Sequence, residues 1–200
     1  TQEELSECAQ MLWNLSMPFI ILGSGSNILV SDKGLDVIVV HNRAHNVRIK
    51  TNSDSPYIEA ESGAILGTVA RQSALRGISG MEWSAPIPGT VGGAVYGNAG
   101  AYGNSIQSCL KMAKILHKTE GVSDWPVEKL NYQYRSSVFK REKIPAVILS
   151  ATFNAVQTSR EEAWEKIDAY QVHRKETQPP GASMGSTFKN PPGESAGRLI

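Results

Sequence analysis

Residues 23–27, Gly-Ser-Gly-Ser-Asn, have the types and spacing to hold an anion. Backbone N–H groups turned inward form a concave donor set, and the hydroxyls of Ser24 and Ser26 add to it. Two familiar alternatives fit poorly. A tight hairpin needs only a two-residue turn such as Asn-Gly. A dinucleotide fingerprint needs a third glycine and a helix behind it, whereas Ile28 stands at the third position and no helix is predicted next. On these residues alone the loop is equally readable as a plain connection between strands.

A second stretch shifts that balance. Residues 84–94 read Ser-Ala-Pro-Ile-Pro-Gly-Thr-Val-Gly-Gly-Ala, and residues 98–103 read Asn-Ala-Gly-Ala-Tyr-Gly. Pro86 and Pro88 stiffen one side, while Gly89, Gly92, Gly93 and Gly100 let backbone approach something flat or charged without a Cβ in the way. Polar side chains are scarce, so a ligand here would be gripped through main-chain N–H and C=O groups. A loop this long with so many apolar neighbours favours binding over a merely structural role.

Two further residues could do chemistry. Arg135 follows the polar-aromatic run Asn131-Tyr132-Gln133-Tyr134, and although its guanidinium could grip a carboxylate at two points, as a lone residue it reads by default as a surface arginine packed on tyrosine. Ser186 follows Gly185, a pair common in turns and helix caps. His41, His45, His117 and His173 share no motif and read as surface or structural. Cys8 and Cys109 lack metal-ligand spacing, so no metal site is expected and a reducing cytoplasm suits them.

Thr1 and Glu4 have capping-box spacing ahead of an apolar stripe at Leu5, Cys8, Leu12 and Leu15, which predicts a helix over residues 2–15. Strands are predicted at Phe19–Leu22, Ile28–Val30, Val37–Val40, Tyr57–Ala60, Leu110–His117 and Ala146–Phe153. A helix is predicted from Ile65 to Arg76, and another from the caps Thr158 and Ser159 to about His173. Between Gly77 and Gly103 the pattern is loop-rich, with eight glycines. The order is mixed α+β, with a domain boundary expected near residue 155.

Composition sets outer limits. The 200 residues are 40% hydrophobic and 20% charged, enough for a real core. Twenty Lys and Arg against nineteen Asp and Glu leave a formal charge of +1, and no basic run suggests a nucleic-acid or membrane surface. No signal peptide or membrane-spanning run is visible.

The two glycine-rich stretches resemble the flavin-binding segments of the UDP-N-acetylenolpyruvoylglucosamine reductases. That family uses a G-x-G-S-N loop for the FAD pyrophosphate, and I-P-G-T-V-G-G-A with N-A-G-A-Y-G along the flavin. Two more blocks are similar: Tyr134-Arg135-Ser136-Ser137-Val138-Phe139, and Gly185-Ser186-Thr187-Phe188-Lys189-Asn190-Pro191. The resemblance implies an α+β FAD-binding domain of the vanillyl-alcohol-oxidase type over residues 1–155, with two α+β subdomains. Residues 156–200 would begin a small α+β substrate domain. It also implies FAD contacts at Gly23, Ser24, Gly25, Ser26, Asn27, Ile28, Pro86, Gly89, Thr90, Gly92, Gly93, Asn98, Ala99, Gly100 and Tyr102. In the wider superfamily flavin is often attached covalently through His or Cys; this loop has neither, so non-covalent FAD is expected.

The resemblance gives Arg135 a catalytic place beside the substrate carboxylate, where it would stabilise developing negative charge. Ser186 would donate a proton to the carbon next to that carboxylate, which a hydroxyl can do only beside a very basic centre. Tyr134, Lys189 and Asn190 would contact substrate, Asn190 at its diphosphate. The implied activity is NADPH-dependent reduction of an enolpyruvyl ether on a UDP-sugar, in the cytoplasm, by a monomer. Family members carry more chain at both ends, including a catalytic glutamate beyond residue 200, so a fragment of the compact branch is expected, and activity of these residues alone is in question. Two alternatives stay open: another FAD-domain oxidoreductase acting on a small alcohol or hydroxy acid, and a non-catalytic nucleotide-binding module.

Overall fold

The computed structural model describes residues 1–51, 54–178 and 188–200. Helix α1 (Gln2–Asn14) starts where its sequence says it should: the Thr1 hydroxyl accepts from the Glu4 amide, and the Glu4 carboxylate takes the Thr1 amino group. The helix buries Leu5, Ala9 and Leu12, while Leu15 lies past its end and is exposed. It leads into β1 (Phe19–Leu22), whose Phe19 ring meets Trp13 at 5.6 Å.

The partner of β1 is β2 (Ile38–His41), one residue later than predicted, and the pair is parallel with Phe19 opposite Ile38. A parallel return needs a crossover of about a dozen residues or more. Residues 23–37 supply it, so the expected strand at Ile28–Val30 does not form; Leu29 is 84% exposed there. The sequence expectation for this stretch is corrected.

Next come β3 (Val47–Lys50) and β4 (Tyr57–Glu61), then α2 (Leu66–Ala74) and the short β5 (Ile78–Ser79). The glycine-rich region predicted as loop holds a helix, α3 (Val91–Gly97), followed by the small hairpin β6 (Gly100–Ala101) and β7 (Asn104–Ser105) and by α4 (Ile106–Cys109). Strand β8 (Leu110–His117) turns at Glu120-Gly121 into β9 (Gly121–Pro126). After α5 (Val138–Glu142) and β10 (Ala146–Asn154) the chain makes β11 (Val156–Gln157), α6 (Arg160–Thr177) and α7 (Ala196–Leu199). The Ser159 hydroxyl caps α6 by accepting from the Glu162 amide at 3.1 Å, as its sequence suggests.

The main sheet is antiparallel, in the order β3-β4-β10-β8-β9. A register shift between Ile148 and Ser150 of β10 inserts one extra residue. That bulge lets Val147 and Leu149 pack with Leu5 and Ala9 of α1, while Ala151 and Phe153 join the larger core. The larger core also takes Val69 and Ala70 of α2, Val91 and Val95 of α3, and Ala163 and Ile167 of α6. Beyond residue 155, β11 pairs with β5 and the Thr158 amide donates to the Gly77 carbonyl at 2.9 Å.

Candidate active site

The parallel strands β1 and β2 end side by side, the place where open α/β arrangements bind ligands. The Gly23–Asn27 loop leaves from one and His41-Asn42-Arg43 from the other. Asn42 is buried, and its amide joins the surrounding segments: Nδ2 donates to Ser62 Oγ at 2.8 Å, and Oδ1 accepts from the Ala44 amide at 3.0 Å. Its own amide donates to the Leu22 carbonyl at 2.8 Å.

The second glycine-rich stretch meets this corner through its main chain. Leu66 N donates to Gly89 O at 3.0 Å, Val91 N to Ala64 O at 2.9 Å, and Gly92 N to Ser62 O at 2.7 Å. Gly92 lies so close to Ser62 that an added Cβ would sit 2.8 Å from the serine Cβ. Thr90 caps α3, its hydroxyl accepting from the Gly93 amide at 3.5 Å. A Cβ on Gly23 would sit 2.9 Å from Thr90 Cγ2, and one on Gly89 would sit 2.9 Å from Ser26 Oγ. The two predicted binding stretches therefore face each other with only glycine between them. Gly25 adopts φ +67°, a left-handed turn that glycine takes without penalty.

Beside this contact is a cleft of about 360 Å³ lined by Gly23, Ser24 and Thr90, by His41, Arg43 and His45, and by Ile65, Val69 and Gln72 among others. No carboxylate is among its lining residues. Hydroxyls, loop amides and the Arg43 guanidinium against an apolar floor suit a phosphate-bearing nucleotide. The residues fit a dinucleotide cofactor. Within that loop Ser24, Gly25 and Asn27 are exposed and Ser26 is half-buried, and Ile28 beyond it is exposed.

At its other end α3 holds the Arg135 segment. Tyr132 Oη donates to Val95 O at 2.8 Å, and Ser137 Oγ donates to Tyr96 O at 2.6 Å, so side chains from one segment satisfy carbonyls the helix terminus leaves open. Burial pushes the Tyr132 phenol well above its ordinary pKa. Between these two anchors Gln133 and Ser136 exchange backbone hydrogen bonds of 3.0 Å each, closing a turn with Tyr134 and Arg135 at its tip. Arg135 has φ +54°; its Nη2 donates to Gly100 O at 2.5 Å, and its guanidinium lies 5.2 Å from the Tyr134 ring centre. It is half-buried and Tyr134 is exposed, leaving both open to a ligand from one side.

The remaining predicted residues fall as follows. Pro86 is half-buried in a turn that α2 approaches through Gly67, and Arg71 Nη1 fixes that turn by donating to Ala85 O at 2.9 Å. Ala99 N donates to Ala94 O, and Ala99 O accepts from Ile106 N, both at 2.9 Å. Tyr102 reaches across to α6: its ring centre is 4.8 Å from Tyr170 and 5.4 Å from His173, and its hydroxyl donates to Tyr170 O at 3.3 Å. Burial raises the Tyr102 pKa. Asn98 is buried, with its side chain turned inward. Lys189 and Asn190 are exposed, and Asn190 Oδ1 accepts from the Ala196 amide at 3.0 Å. Ser186 lies outside the described residues.

Sequence reasoning missed Asn42 and Ser62, and it read His41 and His45 as bystanders although both line the cleft. The available signal was His-Asn-Arg directly after the apolar run Val-Ile-Val-Val, at the end of a strand parallel to the one that feeds the glycine loop. Among the described residues no group of His, Cys, Asp and Glu could hold a metal ion, and no helix is long and apolar enough to cross a membrane.

A protein family described as FAD binding domain matches residues 1–122. Fold and site thus define a FAD-binding flavoprotein domain. The chain is 35% identical over 203 residues to a UDP-N-acetylenolpyruvoylglucosamine reductase of Chloroflexus aggregans, covering 100% of this chain and 68% of the relative. It is 39% identical over 202 residues to the enzyme of that name from Caldicellulosiruptor saccharolyticus, covering 63% of it. The crystal structure of UDP-N-acetylenolpyruvylglucosamine reductase from Thermus caldophilus superposes over 100% of this chain and 69% of that one, with TM-score 0.83 and 30% identity. The chain belongs to the UDP-N-acetylenolpyruvoylglucosamine reductase family, and it spans about two thirds of the length of these relatives. A solvent-stable cholesterol oxidase shares the fold alone, at TM-score 0.59 and 15% identity.

Proposed function

We propose that this chain carries the flavin site and the catalytic arginine of a reductase that converts UDP-N-acetylglucosamine enolpyruvate to UDP-N-acetylmuramate with NADPH, a cytoplasmic step in peptidoglycan precursor synthesis. Residues 1–155 would form the FAD-binding domain and residues 156–200 the start of the substrate domain, acting as a monomer. One observation carries this reading: a single short helix, α3, abuts the Gly23–Ser26 loop through Thr90 and carries the Arg135 turn on its other end.

The Gly23–Asn27 amides, the Ser24 and Ser26 hydroxyls and Thr90 would hold the FAD pyrophosphate without a covalent bond. FAD, when bound, supplies hydride chemistry between the nicotinamide and the enolpyruvyl double bond. Gly93 would leave the space beside FAD free of a side chain, while Gly89, Gly92 and Gly100 let the main chain close on Ser26, Ser62 and Asn104. Arg135 would grip the enolpyruvyl carboxylate at two points and stabilise the charge that develops on it. The Ser186 hydroxyl would pass its proton to the carbon adjacent to that carboxylate, and the negative charge must be held by Arg135 until it does. Tyr134, Lys189 and Asn190 would meet the UDP-sugar.

The test is spectroscopic. The full-length protein should purify with a flavin absorption band that NADPH bleaches without oxygen and that the enolpyruvyl UDP-sugar restores. Restoration by a small alcohol's ketone but not by the UDP-sugar would favour a different oxidoreductase, and bound flavin that neither reagent changes would favour a binding module.

A further inference from the structure

Asn98 caps the C-terminus of α3 in the left-handed region, with φ 48° and ψ 58°, and only 4% of it is exposed. Its backbone N–H donates to Ala94 O. The side-chain amide is engaged at both ends: Nδ2 donates to Gln133 O at 3.0 Å, and Oδ1 accepts from the Gln107 amide at 3.1 Å. Gln133 O is also the carbonyl that accepts from Ser136 N to close the turn carrying Arg135. Tyr132 and Ser137 anchor the chain on either side of that turn, but Asn98 acts on its base. Gly100, whose carbonyl receives the Arg135 guanidinium, follows Asn98 by two residues.

We propose that Asn98 is a positioning residue for Arg135: its amide fixes the Gln133–Ser136 turn against the α3 terminus, so that the guanidinium reaches both Gly100 O and a substrate carboxylate. The resemblance would instead make Asn98 a flavin contact. The amide is 4% exposed and tied down at both its nitrogen and its oxygen, so it is placed to hold the chain, and turning it outward toward a ligand would break both bonds and leave buried partners unsatisfied. The clamp ties the α3 terminus at residue 98 to residue 107 and to residue 133, 35 positions further along the chain. Such a knot is worth building where a charged group must be held to a fraction of an ångström, because a misplacement of about 1 Å can cost on the order of a hundredfold in rate.

This inference rests on the role proposed above for Arg135, and its test separates the two. In the full-length protein Asn98→Gly keeps the left-handed backbone without strain and removes both side-chain bonds. Asn98→Asp keeps the acceptor for Gln107 and sets a carboxylate against the Gln133 carbonyl. Both variants should reoxidise reduced flavin with the enolpyruvyl substrate roughly 10- to 100-fold more slowly. Flavin stoichiometry and reduction by NADPH should stay within about twofold of wild type, a range too small to register as a lost contact. Amide hydrogen exchange at Ser136 in the flavin-free protein should speed up in both. In an Arg135→Ala background, Asn98→Gly should cost no further rate, since it acts only through Arg135. Loss of bound flavin, an additive loss in the double variant, or unchanged Ser136 exchange would each overturn the positioning role. Wild-type reoxidation by Arg135→Ala alone would overturn the role given to Arg135, and Ser136 exchange would then decide the clamp by itself.

Discussion

Replacing Gly23 with alanine puts one methyl group between the Gly23–Asn27 loop and the helix that faces it. The new Cβ would lie 2.9 Å from Thr90 Cγ2 and 3.2 Å from Thr90 Cβ, with Oγ1 nearer still, whereas ordinary contact begins at 3.4 Å. The loop must therefore retreat by about 0.5 Å or more, because Thr90 is 6% exposed and held as the α3 cap. Over-packing of this kind costs about 1–3 kcal/mol. At 1.4 kcal/mol per factor of ten, that corresponds to roughly 5- to 140-fold weaker FAD binding if the strain falls on the cradle. Gly25→Ala tests the other requirement: space is open there, but φ +67° costs a side chain roughly 1–2 kcal/mol. Gly97→Ala is the control, since nothing lies within 4 Å of its added Cβ and alanine favours the helix by up to about 1 kcal/mol. Titrating flavin-free protein with FAD and following the quenching of flavin fluorescence gives each Kd. Gly23→Ala binding within twofold of wild type would refute the cradle.

Three further outcomes are expected. Ser186→Ala should leave flavin reduction by NADPH intact and slow reoxidation by the enolpyruvyl substrate by about two or more orders of magnitude, as expected for a lost general acid; stopped-flow absorbance separates the steps. Tyr132→Phe leaves the Val95 carbonyl without its partner, and should lower stability by about 1–3 kcal/mol in urea unfolding. Burial pushes the Cys109 thiol up to about 12 from an ordinary 9.0, and Tyr132 moves in the same direction. Both groups ionise more readily unfolded, so their contribution is complete below pH 9 and is lost as pH rises toward 12; the melting temperature should fall across that window, less steeply in Cys109→Ala.

Much of the frame was readable because local signals agreed with the final packing. The apolar runs of β8 and β10 and the caps at Thr1 and Ser159 each act on their own neighbours, so a single sequence displays them. Two expectations failed for tertiary reasons. Ile28–Val30 is apolar enough for a strand, but β1 takes β2 as its parallel partner and that stretch becomes the crossover. Val91–Gly97 holds three glycines, each a poor helix former, yet it winds into α3 because Thr90 caps it and only glycine at 92 fits against Ser62. The short strand Val47–Lys50 was hidden by its alternating charges Arg48 and Lys50, which face solvent. Within the site, the glycine loops stood out by residue type, and Arg135 only through the resemblance of its block to the family. Asn42, Ser62 and the inward amide of Asn98 did not, because their partners lie 20, 30 or more residues away or belong to the main chain of distant segments.

The central claim is that α3 presents Arg135 to a carboxylate while its other end faces the flavin phosphates. Arg135→Lys keeps the charge but loses the planar two-point grip, and Arg135→Ala loses both. The direct measurement is the rate at which reduced flavin is reoxidised at saturating enolpyruvyl UDP-sugar, in full-length protein carrying arginine, lysine or alanine at position 135. If Arg135 orients the carboxylate and stabilises the charge that follows, lysine should be nearly as slow as alanine, each down by about 10²- to 10³-fold, in line with roughly 3–4 kcal/mol for one preorganised electrostatic contact. A lysine variant within a few-fold of wild type would contradict the account and leave Arg135 as a surface residue stacked on Tyr134.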